Sequence, residues 1–243
     1  MEHASPPDSA DAIRRLIDHA ILKPELSRVQ VDAQLDEAAA YGVFSVCVRP
    51  CDVAHAVARL TGTGVRVGTV IGFPHGTTTT TTKTAEAIQA LADGAFELDM
   101  VQNIGAATSG DWQMVEGDVR AVVDVAGAVP VKVILETSYL TDDQIVAASR
   151  AAVAGGASFV KTSTGFGGGG ATAAHIALMR ATVGEAVGVK ASGGVRGLDT
   201  LIEMVRAGAN RIGTSASARI LDEFAHRAST GTASDRGDDR TSY

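Results

Sequence analysis

Four stretches of the chain repeat one construction: AAAYGVFSVCV, ALADGAFELDM, AVAGGASFVKT and MVRAGANRIGT each pass from an alanine-rich segment with helical spacing, through a glycine, into a short apolar run. The glycine allows a helix to stop in the left-handed conformation, and the run that follows has the length of a strand. VRVGTVIGF, VKVILET and VGVKASGG also read as strands, and RLIDHAIL supplies one more near the start. The strand centres fall near residues 18, 45, 68, 98, 133, 160, 189 and 212, with helical patterns between them. Such alternation predicts parallel strands buried on both faces, and eight units in 243 residues predict a single-domain (β/α)8 TIM barrel. The pattern alone leaves a doubly wound open sheet as the alternative.

Residues 1–12 read as a loose lead-in, 13–227 as the barrel domain, and 228–243, ASTGTASDRGDDRTSY, as a flexible polar tail. Hydrophobic residues make up 45% of the chain, enough for one large core. The formal net charge is −7 and the basic residues are scattered, so neither nucleic acid nor an anionic membrane is expected as a partner. No apolar run approaches the roughly 20 residues of a membrane span, and MEHASPPDSADAIRR lacks the apolar core of a signal peptide; a cytoplasmic protein is expected. Cys47 and Cys51 are not expected to pair, and Cys47 reads as core packing. The threonine run Thr77 to Thr82 reads as a polar loop leading into the helix KTAEAIQALAD.

In a barrel of this kind the C-terminal ends of the strands form the active face. Four such ends carry polar residues: Asp99 in FELDMVQN, Lys161 in SFVKTST, Lys190 in VGVKASGG, and Ser215 just past RIGT. A lone lysine at a strand end ordinarily snorkels its head to water. Two lysines and an aspartate at corresponding ends of separate strands instead suggest a partly compensated cluster, in which Asp99 at the least balances charge. A free lysine has a pKa near 10.4, so roughly four molecules in ten thousand carry the neutral amine at pH 7. A second ammonium and partial desolvation both disfavour the protonated form; reaching a pKa of about 7 or 8 takes roughly 4 kcal/mol. A lysine so tuned can form a Schiff base with a carbonyl.

The glycine-rich segments STGFGGGG, SGGVRG and IGTS follow strands six to eight, where backbone N–H groups at helix N-termini can approach a phosphate. Gly165, Gly167 and Gly170 match a dinucleotide-binding spacing, but no acidic residue follows about 20 positions later at a strand end, so that reading is set aside. The six histidines show no pair at ligand spacing, and no metal is expected.

Taken together, SFVKTSTGFGGGGAT, VGVKASGGVR, FELDMVQNIGAATSGDW, VIGFPHG, VKVILET and IDHAILKP make residues 14 to 225 resemble the deoxyribose-phosphate aldolase family. The resemblance implies a class I aldolase, free of metal and cofactor, that reversibly cleaves 2-deoxy-D-ribose 5-phosphate to D-glyceraldehyde 3-phosphate and acetaldehyde. It implies that Lys161 is the Schiff-base lysine, Lys190 the neighbour that depresses its pKa, and Asp99 the proton-relay carboxylate. Gly165, Gly193, Gly194, Gly213 and Ser215 correspond to phosphate-cradling positions, and Asp18 to a substrate-side position in the first strand. The family's usual threonine after Asp-His is Ala20 here, which is expected to weaken affinity and leave the reaction unchanged. Some relatives also end in tyrosine, which suggests proton transfer by Tyr243 at the enamine. A homo-oligomer, dimer or tetramer, is expected, with small phosphosugars and aldehydes as the only other partners. Two rival readings remain: a phosphosugar isomerase on the same barrel, and a catalytically silent sugar-phosphate binder.

Overall fold

The computed structural model of the chain describes residues 6–230. Eight parallel strands close into a barrel in sequence order: β1 (Ile17–Ile21), β2 (Ser45–Val48), β3 (Arg66–Ile71), β4 (Glu97–Val101), β5 (Val131–Ile134), β6 (Phe159–Lys161), β7 (Gly188–Ser192) and β8 (Arg211–Thr214). A helix α1 (Ala10–Leu16) precedes β1. The connections then carry α2 (Arg28–Tyr41), α3 (Val53–Leu60), α4 (Thr80–Ala92), α5 (Ile104–Thr108), α6 (Trp112–Ala126), α7 (Asp142–Ala154), α8 (Ala173–Val183) and α9 (Leu198–Arg206), and α10 (Ser217–Thr230) follows β8. The closed barrel removes the open sheet as an alternative. No helix among the described residues is long and apolar enough to cross a membrane.

Each of the four repeated joints contains a glycine in the left-handed region: Gly42 at φ 63°, Gly94 at 96°, Gly156 at 94° and Gly208 at 111°. A side chain there would be strained, so these four glycines set where a helix stops and the next strand starts. The termini differ from the sequence expectation. Helix α1 opens at Ala10, inside the stretch read as a lead-in, because the Ser9 hydroxyl accepts from the Ala12 N–H and caps it. Helix α10 runs on to Thr230, into the stretch read as a tail. The threonine run is also less of a loop than expected: Thr79 caps α4, and Thr80 to Thr82 form its first turn.

Alternation along the strands divides the interior in two. Leu98, Met100, Val131, Val133, Val160, Val189, Ala191 and Ile212 join the apolar core that includes the helices. The residues between them in the sequence, Glu97, Asp99, Lys132, Lys161, Lys190 and Arg211, meet one another in a connected polar column. Outside the barrel a separate buried pair ties α4 to α6: Lys83 Nζ lies 2.5 Å from Asp118 Oδ2 and donates to the Val101 carbonyl at 2.8 Å.

Candidate active site

Asp99 is the hub. Its Oδ2 accepts from Lys161 Nζ at 2.7 Å and Lys190 Nζ at 2.8 Å, and its Oδ1 from Lys132 Nζ at 2.9 Å. Strand register produces this convergence: Asp99 pairs with Lys132 across β4 and β5, and Lys161 with Lys190 across β6 and β7. A lower layer holds the hub in place. Lys132 also contacts Glu97 Oε1 at 2.6 Å and Asp18 Oδ2 at 3.0 Å, and Lys190 contacts Asp18 Oδ2 at 2.5 Å. Ser45 Oγ lies 2.8 Å from Asp18 Oδ1 and 2.9 Å from Glu97 Oε1, sharing its one proton between them, and Arg211 Nη1 lies 2.9 Å from Asp18 Oδ1 and 3.4 Å from Glu97 Oε2.

The number of carboxylates each lysine touches sorts the three. Among the described residues, Lys132 touches three, Lys190 two and Lys161 one. Burial lowers the pKa of all three, as it does for any ammonium removed from water. For Lys132 the attraction of Asp18, Asp99 and Glu97 overrides burial and holds the pKa well above the usual lysine value. Lys190 is raised for the same reason, by Asp18 and Asp99. For Lys161 burial wins: Asp99 alone opposes it strongly, Lys190 adds repulsion, and the pKa falls below the usual value. Burial pushes Asp99 and Asp18 upward, yet the surrounding lysines, joined by Arg211 at Asp18, hold both below the usual carboxylate range. Burial pushes the Cys47 thiol up to about 12, so it stands in this cluster as a neutral group.

The loop after β6 is glycine-rich because it packs tightly. A Cβ on Gly167 would lie 2.8 Å from Glu136 Cδ; one on Gly169 would press on Ser138 Cβ, and one on Gly170 on the Gly193 carbonyl oxygen. Glu136, just past the end of β5, anchors the loop: its Oε2 accepts from the Thr164 backbone N–H at 3.1 Å and from the Thr164 hydroxyl. It takes a left-handed φ of 54°, the one non-glycine to do so among the described residues. Phe166 meets Phe73 edge-on across the mouth, with ring centroids 5.3 Å apart.

The sequence-read residues fall into three groups. Asp99, Lys161 and Lys190 come together directly. Gly165, Gly193 and Gly194, with φ near 85°, 83° and 82°, lie in the turns after β6 and β7, and Ser215 is exposed just ahead of α10. Gly213 and Asp18 lie deeper. A Cβ on Gly213 would sit 3.1 Å from Lys190 Cε, so this glycine makes room for the lysine stem, and Asp18 is fully buried under the lysines with both oxygens bonded. Tyr243 lies outside the described residues. The sequence reading missed Lys132, Glu97 and Arg211. The signal for the first two was period-two alternation: Glu97 stands two before Asp99, and Lys132 interrupts an apolar strand.

A closed parallel barrel with an under-paired lysine at the C-terminal ends of its strands defines a barrel enzyme equipped for amine chemistry on carbonyl compounds. The sequence comparisons narrow that class. The family model described as DeoC/LacD family aldolase matches residues 12–236, and the chain belongs to that family. It is 52% identical over 209 residues to a deoxyribose-phosphate aldolase of Streptococcus equi subsp. zooepidemicus, covering 86% of this chain and 95% of the relative. It is 55% identical over 207 residues to deoxyribose-phosphate aldolase 2 of Staphylococcus aureus, covering 85% and 94%. Among solved structures, the tetrameric deoxyribose phosphate aldolase from Aeropyrum pernix superposes with a TM-score of 0.82 at 30% identity, covering 90% of this chain and 94% of the other.

Proposed function

We infer that the protein is a class I aldolase that reversibly cleaves 2-deoxy-D-ribose 5-phosphate to D-glyceraldehyde 3-phosphate and acetaldehyde through a Schiff base on Lys161. The observation that carries this is the unequal pairing of the three lysines on Asp99, which leaves Lys161 with a single carboxylate and a lowered pKa. The named relatives at 52% and 55% identity support the substrate.

In this reading the unprotonated Lys161 Nζ adds to the C1 aldehyde of the ring-opened sugar, and the carbinolamine loses water to give a protonated imine. A base removes the proton of the C3 hydroxyl, the C2–C3 bond breaks, and its electron pair moves into the imine. Glyceraldehyde 3-phosphate leaves, and an enamine remains on Lys161. Protonation of the enamine carbon and hydrolysis release acetaldehyde and restore the amine. Asp99, acting through Lys190 and water, is the proton shuttle. Lys132 and Asp18 hold Asp99 and Lys190 in register.

The phosphate is held at the turns of Gly165, Gly193 and Gly194, with Gly213 of β8 and Ser215 just past it, by backbone N–H groups instead of a basic surface. Tyr243 serves proton transfer at the enamine. The enzyme works in the cytoplasm as a dimer or tetramer.

The test is reduction with borohydride in the presence of acetaldehyde, followed by peptide mapping. An ethyl group on Lys161 is expected. An isomerase on the same barrel, or a silent sugar-phosphate binder, would be ethylated at exposed lysines and gain no selective adduct at the buried Lys161.

A further inference from the structure

The polar column can be followed from the mouth of the barrel to its base. Glu97 opens β4 and Arg211 opens β8, at the end opposite the catalytic lysine. Arg211 lies over the Phe44 ring at 3.8 Å and also faces Phe159 at 5.4 Å, while its Nη1 reaches up to Asp18 and Glu97. The guanidinium is thus clamped between aromatic faces below and carboxylates above.

Four cationic side chains belong to this connected network, Lys132, Lys161, Lys190 and Arg211, against three carboxylates, Asp18, Glu97 and Asp99. Lys132 and Lys190 are secured by two or three carboxylates each. The surplus charge therefore falls on Lys161, and the interior is electroneutral when that amine is unprotonated. We propose that Glu97 and Arg211 are positioning residues for the nucleophile: from the base of the barrel they fix the charge count that makes neutral Lys161 the balanced state.

Arg66 of β3 stacks over the Phe44 ring at 4.6 Å and the Phe96 ring at 4.4 Å at the base, exposed to solvent and outside these ion pairs, and the other groups facing the cluster leave the count unchanged. Cys47 of β2 is a neutral thiol, and Ser45 of β2 and Thr69 of β3 are uncharged. Glu136, beyond β5, turns its Oε2 to Thr164 of the loop. A unit charge roughly 10 Å from an amine shifts its pKa by about one unit at an effective dielectric near 20. Removal of a basal charge is therefore felt at the mouth.

This inference rests on Lys161 as the Schiff-base lysine. It is tested by the pH dependence of adduct formation at Lys161, using acetaldehyde and cyanoborohydride on the full chain. Arg211→Met balances the interior with Lys161 protonated, and the pH of half-maximal adduct rises by about one unit. Glu97→Gln adds to the positive surplus, and the same midpoint falls by about one unit. Arg211→Lys keeps the charge and restores the wild-type midpoint. Each shift has its own sign, so one folded variant suffices. Unmoved midpoints, shifts of the same sign, or Arg211→Lys behaving like Arg211→Met would overturn the proposal. Absence of any adduct on wild-type Lys161 would overturn the Schiff-base reading instead.

Discussion

Lys161 and Lys190 donate to the same carboxylate oxygen, Oδ2 of Asp99, at 2.7 and 2.8 Å. Two ammonium groups converging on one oxygen repel each other, and the one with fewer other partners yields its proton first. Lys190 has Asp18 as a second carboxylate partner, and Lys161 has none among the described residues. That asymmetry makes Lys161 the lysine more easily deprotonated, as the proposed Schiff-base role requires.

Asp99→Asn should damage both folding and turnover. It leaves three buried lysines short of a counter-charge, with an expected loss of about 3–5 kcal/mol. It also removes the carboxylate proposed as the proton shuttle, with an expected fall in kcat of at least about a hundredfold. Chemical denaturation and steady-state cleavage of deoxyribose 5-phosphate read the two effects separately.

Lys190→Met should act through pH. Without its neighbour's repulsion Lys161 holds its proton more firmly, so the neutral-pH rate falls about tenfold for each unit by which the pKa rises. Part of that loss should return at higher pH. A rate–pH profile checks this, and a loss of the same factor at every pH would contradict it.

The packing of the glycine loop predicts a coupled pair. Gly169→Ala drives a methyl group into Ser138 Cβ and should raise KM for the phosphorylated substrate. Ser138→Gly removes the obstructing atom and should rescue it in the double variant. Adduct formation with acetaldehyde, which carries no phosphate, should change little. A double-mutant cycle on KM measures the coupling.

His19 predicts an acid-sensitive joint between β1 and α10. Its Nδ1 lies 2.8 Å from Ser217 Oγ, and burial lowers its pKa from 6.5 to about 4. A depressed histidine binds fewer protons folded than unfolded, so its contribution is complete above 6.5 and is lost as pH falls toward about 4. The stability difference between wild type and His19→Gln should narrow by about 3 kcal/mol across that window. Denaturant titrations at several pH values measure it.

The barrel was legible because its signals are local. A glycine at Gly42, Gly94, Gly156 or Gly208 ends a helix whatever else the chain does, and each apolar run after it has the length of a strand. Asp99, Lys161 and Lys190 were legible as polar residues in apolar runs, although only Lys161 ends its strand; Asp99 and Lys190 sit at the middle of β4 and β7. Lys132, Glu97 and Arg211 were not, since they sit lower in the strands, and inward-facing position is set by the barrel's register. The same limit hid Asp18: its motif was visible, while its depth beneath Lys132 and Lys190 was a property of closure. The glycines after β6 were legible as a close approach of backbone, although the partners approached include Glu136, Ser138 and Gly193 of the protein itself.

The most direct measurement is the titration of the Lys161 side-chain nitrogen by heteronuclear NMR on lysine-labelled protein. The account predicts a pKa below the ordinary 10.5, with Lys132 and Lys190 titrating above it. A Lys161 that titrates at or above 10.5 would contradict it.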